Sequence, residues 1–136
     1  MYYGLCLDEQ EEDVTHDPGT VRLWGCNGSK NQMWAEKIIA DHPISIAKNL
    51  VSSRSGKCVT YQPDPDSPII SVRLAPCGQE EQAWVRHWNG AAYIFEAAEL
   101  PGLCLSVTSG PVAEGFTGIR LRRCDPPSPL TDWRPS

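Results

Sequence analysis

Three short stretches of the chain alternate strictly between apolar and polar residues. Val21 and Leu23, Val72 and Leu74, and Ile119 and Leu121 fall on one face, while Arg22, Arg73 and Arg120 fall on the other. A period of two with β-branched residues predicts a strand whose aliphatic face is buried. Each stretch is preceded by a Gly-x-Cys-aliphatic element: Gly4-Leu5-Cys6-Leu7, Gly56-Lys57-Cys58-Val59 and Gly102-Leu103-Cys104-Leu105. Each is followed by a tryptophan, Trp34, Trp84 or Trp133, and equivalent positions predict core packing for all three. Asp17-Pro18-Gly19, the run from Pro63 to Pro68, and Pro126-Pro127-Ser128-Pro129 supply the turn signals between them. No helical period is evident, so the pattern predicts an all-β chain of three equivalent lobes.

The spacing makes the repeat unambiguous. Cysteine separations within the units are 20, 19 and 20 residues, and the second cysteine precedes the tryptophan by 8, 7 and 9. Three elements recurring in the same order and spacing in three copies are the mark of a repeat architecture. The expected organisation is one domain over 1–136, with repeats at approximately 1–43, 44–90 and 91–136. Six cysteines permit many pairings. If each unit is an equivalent piece of structure, each closes its own loop: Cys6–Cys26, Cys58–Cys77 and Cys104–Cys124. Zinc is the rival use, but no two cysteines sit at knuckle spacing, and His16, His42 and His87 stand at no ligand spacing. A disulfide framework implies an oxidising compartment, so a secreted, extracellular protein with no metal and no cofactor is expected.

Composition narrows the function. With 136 residues, 40% of them hydrophobic, the chain can bury a modest core. A net charge of -5 argues against nucleic-acid binding. No apolar run approaches the roughly 18 residues of a membrane span, so membrane insertion is not expected. Tyr2-Tyr3-Gly4 follow Met1 directly, so no signal peptide is visible; removal, or another export route, is the expectation.

Gln32-Met33-Trp34 and Gln82-Ala83-Trp84 are Gln-x-Trp motifs, and Thr131-Asp132-Trp133 is a degenerate third. With Gly4-Leu5-Cys6-Leu7-Asp8 and the cysteine pairs, the whole chain resembles the ricin B-type lectin repeats. The resemblance implies a β-trefoil of three four-stranded units, binding galactose, GalNAc or xylan-type glycans. Only Met1-Tyr2-Tyr3 precede the first Gly-x-Cys, and only Arg134-Pro135-Ser136 follow Trp133. A thin seam is therefore expected, either from a trimmed domain or with a partner chain covering it.

A sugar site needs an aromatic face for the pyranose C–H groups and fixed polar groups for its hydroxyls. Unit one has them. The resemblance places Asp8 at the sugar-binding aspartate and Asn31 at the sugar-contacting amide. Alternation puts Trp24 on the outward face. Gln32 is expected to brace Asn31 or Asp8. Arg22 replaces a glutamine common in related sites; since arginine fills that slot in every unit, a solvated or loop-bracing role is expected. His16, between Asp8 and Trp24, is either a further hydroxyl contact or a bystander. In the other units Asp8 becomes Thr60 and Ser106, Trp24 becomes Ala75 and Arg122, and Asn31 becomes Glu81 and Leu130. One site, in the first repeat, is the expectation. The alternative is that Asp8 caps a turn and Trp24 packs under a loop.

The run Glu9-Gln10-Glu11-Glu12-Asp13 lacks a calcium-loop pattern and predicts a solvated loop beside the site. Asn27-Gly28-Ser29 is an N-glycosylation sequon, meaningful in a eukaryotic source. No paired carboxylates or nucleophile–base set is fixed by the repeat, so an enzyme is not expected. A single exposed site predicts millimolar affinity, about 4 kcal/mol, with oligomerisation or a fusion partner supplying avidity. The competing reading is a protein-binding trefoil, an inhibitor or toxin receptor-binding component with decayed sugar sites.

Overall fold

The computed structural model describes residues 5–10, 19–107, 118–125 and Trp133. The order is β1 (Leu5–Glu9), β2 (Val21–Gly25), a 3-10 turn (Lys30–Gln32), β3 (Trp34–Ile38), β4 (Lys48–Ser52), β5 (Cys58–Asp64) and β6 (Ser67–Ala75). A second 3-10 turn (Glu80–Gln82), β7 (Trp84–Trp88), β8 (Tyr93–Ala97), β9 (Leu103–Val107) and β10 (Ile119–Arg123) complete it.

Each Gly-x-Cys strand pairs antiparallel with the alternating strand of its own unit, giving the hairpins β1–β2, β5–β6 and β9–β10. The register is the same in all three, with Asp8 opposite Arg22, Thr60 opposite Arg73 and Ser106 opposite Arg120. β3–β4 and β7–β8 form a second kind of hairpin, and Trp133 bridges to Tyr93 where a strand of the third unit would lie. The larger sheet runs β3-β4-β5-β6-β10-β9-β8-β7, and a β4–β7 pairing closes seven of its strands into a ring. The three lobes so arranged follow the trefoil plan that the resemblance implies.

The alternating strands bury the predicted face. Val21, Leu23, Val72, Leu74 and Ile119 all lie in the core, while Leu121 is partly buried against it. Trp84 and Trp133 are buried as expected, but Trp34 is only half-buried. Its strand, β3, ends the sheet order and pairs with β4 alone, so the indole has fewer neighbours. A buried indole N–H needs an acceptor. All three tryptophans find the same one, donating from Nε1 to the main-chain oxygens of Leu7, Val59 and Leu105 at 2.9–3.0 Å. Each unit's closing tryptophan is therefore tied back to the Gly-x-Cys strand of the same unit.

The disulfides pair as the repeat predicts, Cys6–Cys26, Cys58–Cys77 and Cys104–Cys124, with Cα separations of 5.1, 5.1 and 5.2 Å. A clipped loop of that length contributes roughly 3 kcal/mol in the chain-entropy account. Lobes one and two also meet directly. Gly19 accepts the Leu74 N–H at 2.7 Å, and a Cβ at this positive-φ residue (89°) would lie 2.3 Å from the Leu74 oxygen. Only glycine permits that approach.

Candidate functional site

The β1–β2 register sets Asp8 directly across from Arg22, and alternation puts Arg22 and Trp24 on the same face of β2. Arg22 Nε donates to Asp8 Oδ1 at 2.9 Å, and its Nη1 donates to Gln10 Oε1 at 2.8 Å. The guanidinium also lies over the indole of Trp24, with Cζ 3.9 Å from the ring centroid. This is a cation–π contact combined with a charge-assisted hydrogen bond. Arg22 is thus not a solvated arginine. Its side chain is 16% exposed, and it joins the carboxylate to the indole.

The 3-10 turn brings the two amides to the same hairpin. Gln32 Nε2 donates to Asp8 Oδ2 and to the Gly25 oxygen, both at 2.9 Å, while its Oε1 accepts the Asn27 N–H. Of the two bracing roles open to Gln32, the structure has it on Asp8. Asn31 Nδ2 donates to the main-chain oxygen of Glu9 at 2.9 Å. Asp8, Arg22, Trp24 and Gln32 are therefore one connected cluster, and Asn31 is held beside it on the backbone of Glu9. Two of its members are less open than the sequence suggested. Asp8 is 2% exposed, with Arg22 on one oxygen and Gln32 on the other, and Trp24 is half-buried because Arg22 covers it. His16 lies outside the described residues.

Lobe two builds the same brace around different chemistry. Gln82 Nε2 donates to Thr60 Oγ1 and to the Pro76 oxygen, and its Oε1 accepts the N–H groups of Gly78 and Gln79. The Gln-x-Trp glutamine thus performs one structural task in both lobes. Only in lobe one does it hold a carboxylate. Ala75 stands where Trp24 does, opposite the first cysteine of its hairpin. An open cavity of about 500 Å³, lined by Thr60, Gln62, Asp64, Ser71, Gln79 and Glu81 among others, lies between the β5–β6 hairpin and the second 3-10 turn. Leu130 and Thr131, the third-unit counterparts of Asn31 and Gln32, lie outside the described residues.

Glu9 corrects the expectation of a solvated acidic loop. It is 3% exposed, and its carboxylate accepts hydrogen bonds from Arg54 Nη1 and Ser55 Oγ in the turn between β4 and β5. Residues 11–13 of that run lie outside the described residues. The sequence held a signal for Glu9 that went unread. Aligned on the cysteines, its slot holds Tyr61 and Val107 in the other units, both fully buried. Tyr61 donates from its hydroxyl to the Ala83 oxygen and accepts the Glu99 N–H, and burial pushes its pKa up to about 12. Glu9 fills the same inward slot with a carboxylate, which pins the end of β1 to lobe two. Gln10 was likewise missed, and it needed the tertiary position of Arg22 to be seen.

Asn27 is exposed, and its Oδ1 accepts the Ser29 N–H across the sequon. Among the described residues, no three His, Cys, Asp or Glu side chains gather as a cation site. No helix among them is long and apolar enough to cross a membrane.

Comparison with known proteins gives a family match over residues 2–133, to the family described as "Ricin-type beta-trefoil lectin domain". No curated protein sequence matches significantly. Among solved structures, the chain is similar to a designed threefold symmetric protein, ThreeFoil, with TM-score 0.73 and 22% identity over 96% of this chain and 89% of that one. A mosquitocidal holotoxin matches with TM-score 0.78 and 16% identity; 96% of this chain aligns, spanning 15% of the toxin chain. A Macrolepiota procera ricin B-like lectin, solved in complex with lactose, matches with TM-score 0.65 and 18% identity over 95% and 86% of the two chains.

Proposed function

Because this chain belongs to the ricin-type β-trefoil lectin family, as its match over residues 2–133 shows, we propose that it is a carbohydrate-binding module. Its sugar site is in the first lobe, at the outer end of the β1–β2 hairpin. One observation carries this reading: through Arg22 and Gln32 a carboxylate, an indole and an amide are tied together there, with the Asn31 amide on the adjoining backbone, whereas lobe two offers Thr60 and Ala75 at the matching places. Trp24 supplies the face for the pyranose C–H groups. Asp8 and Asn31 take the hydroxyls, and Gln32 fixes Asp8 from behind. A galactose-type or xylan-type ring suits such a set, and lactose, found on the Macrolepiota lectin, is a natural first probe. The three disulfides support a secreted setting. Affinity at one shallow site is expected near millimolar, about 4 kcal/mol, with avidity coming from fusion or oligomerisation.

The test is a glycan array and a calorimetric titration on the protein and its Trp24→Ala variant. The variant should keep its circular dichroism spectrum and lose at least about tenfold in affinity, the scale of one lost stacking contact. Binding that survives this change rejects the lobe-one site. One observation favours a second reading, a protein-binding trefoil: Asp8 is already satisfied by Arg22 and Gln32. An array blank for both proteins would support it.

A further inference from the structure

We infer that Arg22 gates the lobe-one site: its guanidinium holds both groups that a neutral pyranose would use, so the sugar enters by displacing it. This rests on the lobe-one reading above and adds to it the residue that sets affinity and ligand class.

The geometry leaves little room for another arrangement. A ring stacking on the Trp24 face occupies the layer in which the guanidinium already lies, with Cζ 3.9 Å from the centroid. The same side chain takes Asp8 Oδ1 through Nε, while Gln32 takes Oδ2. Each carboxylate oxygen has a second acceptor direction, yet the residue is 2% exposed, so those directions are covered. Gln10 Oε1 holds Nη1 at 2.8 Å and steadies the guanidinium over the indole. Carboxylate and indole are thus both engaged by one side chain that is itself only 16% exposed.

This arrangement belongs to lobe one alone. Arginine fills the same slot in the other lobes, but Arg73 faces Thr60 and Arg120 faces Ser106, and neither has an indole two residues along. The arginine is a feature of the repeat. The gate arises where that arginine meets Asp8 and Trp24.

Charge decides which ligand pulls it aside. A guanidinium already paired with a carboxylate gains little from an acidic sugar, and bringing such a ligand beside Asp8 sets two carboxylates together. A neutral pyranose instead replaces what it displaces, with C–H groups on the indole and hydroxyl donors on the carboxylate. Affinity is lowered by whatever the arginine contacts are worth. A side chain that keeps a hydrogen bond to Asp8 without covering the ring removes that handicap.

The experiment compares the protein with Arg22→Gln, Arg22→Lys and Trp24→Ala by calorimetric titration with lactose, N-acetylgalactosamine, xylobiose and galacturonic acid. Arg22→Gln should bind a neutral sugar about tenfold more tightly, which is about 1.4 kcal/mol. Arg22→Lys keeps the charge but not the planar stack, and should fall between the two. Trp24→Ala should not bind. A readout without sugar accompanies these: the Trp24 indole should be more accessible to acrylamide quenching in Arg22→Gln, scored against a Trp24→Phe background to isolate its signal. Circular dichroism checks that each variant is folded, and Arg22→Lys preserves the ion pair should Arg22→Gln fail to fold.

If Arg22→Gln binds no better or more weakly while Trp24→Ala abolishes binding, the gate is overturned and the lobe-one site stands. Tighter binding of galacturonic acid by the unaltered protein than by Arg22→Gln also overturns it. Binding indifferent to all three changes rejects the site, and the gate falls with it. If no protein binds any sugar and quenching is unchanged, Arg22 obstructs nothing.

Discussion

Lobe one and lobe two share a register, a disulfide, a bracing glutamine and a tryptophan bound to a main-chain oxygen, yet their outer ends differ. In lobe one Asp8, Arg22 and Trp24 knit together and leave almost no carboxylate surface. In lobe two Thr60 and Ala75 take the places of the first and last of these, and an open cavity of about 500 Å³ is lined by Thr60, Gln62, Ser71 and Glu81 among others. The shared parts, the arginine included, hold the hairpin; of the three side chains two differ, Asp8 against Thr60 and Trp24 against Ala75.

The sharpest test of the shared scaffold is its tryptophan. Trp84 is 1% exposed in the core, and Trp84→Ala should cost about 3–5 kcal/mol. Trp34 sits on the edge strand β3, half-buried, and Trp34→Ala should cost about half as much. Urea denaturation midpoints compare them. Equal losses would mean that β3 is covered as fully as β7. Next in size are the clips. Replacing Cys6 and Cys26, or Cys104 and Cys124, with alanine should each lower stability by roughly 3 kcal/mol, because the closed loops match in length. A difference beyond about 1 kcal/mol between the two would show that the lobes are not equivalent at this level.

A smaller effect probes the contact between lobes. Glu9→Ala strips the partner from Arg54 and Ser55 and empties an inward slot, a loss of about 2 kcal/mol. Glu9→Val, the residue that lobe three carries there as Val107, refills the slot and should lose under about 1 kcal/mol. If the valine variant is as unstable as the alanine variant, the slot is held by hydrogen bonds and not by packing.

These residues also show what was legible beforehand. Strand faces, disulfide pairs and the Gln-x-Trp units follow from period and spacing, which local sequence carries in full. That Gln32 braces Asp8 was half legible, since the motif named the residue but not which of two partners it takes. Arg22 was also half legible: of the solvated and bracing roles that its repeated slot suggested, the structure has the bracing one. What changes its role is the pair of neighbours across and along the hairpin, Asp8 and Trp24, and that needs register together with alternation. Glu9 read as one acid among four, although Tyr61 and Val107 in the same slot already marked it as inward. Its partners, Arg54 and Ser55, lie about forty-five residues away, a distance that no local pattern spans.

The smallest effect separates lobe two from lobe three, at the glycine that opens each Gly-x-Cys strand. Gly56 donates its N–H to the main-chain oxygen of Ser52, whereas Gly102 donates to Glu96 Oε2, each at 2.8 Å. The same turn is thus pinned by an untitratable group in one lobe and a carboxylate in the other. Burial acts to raise the Glu96 pKa, but the Gly102 N–H and the His87 ring at 2.9 Å outweigh it and hold the carboxyl below its ordinary value of 4.5. A carboxyl so lowered adds stability that is complete above the ordinary value and is lost as pH falls through the folded value. His87 is half-exposed, so solvent screens the pair and the contribution should be about 0.5 kcal/mol. Thermal unfolding of the protein and of Glu96→Gln should therefore differ at neutral pH and converge in acid, once the pH has fallen through the lowered Glu96 value. A gap that persists in acid would mean that the Gly102 turn depends on the shape of the Glu96 side chain and not on its charge, and lobes two and three would then be pinned alike.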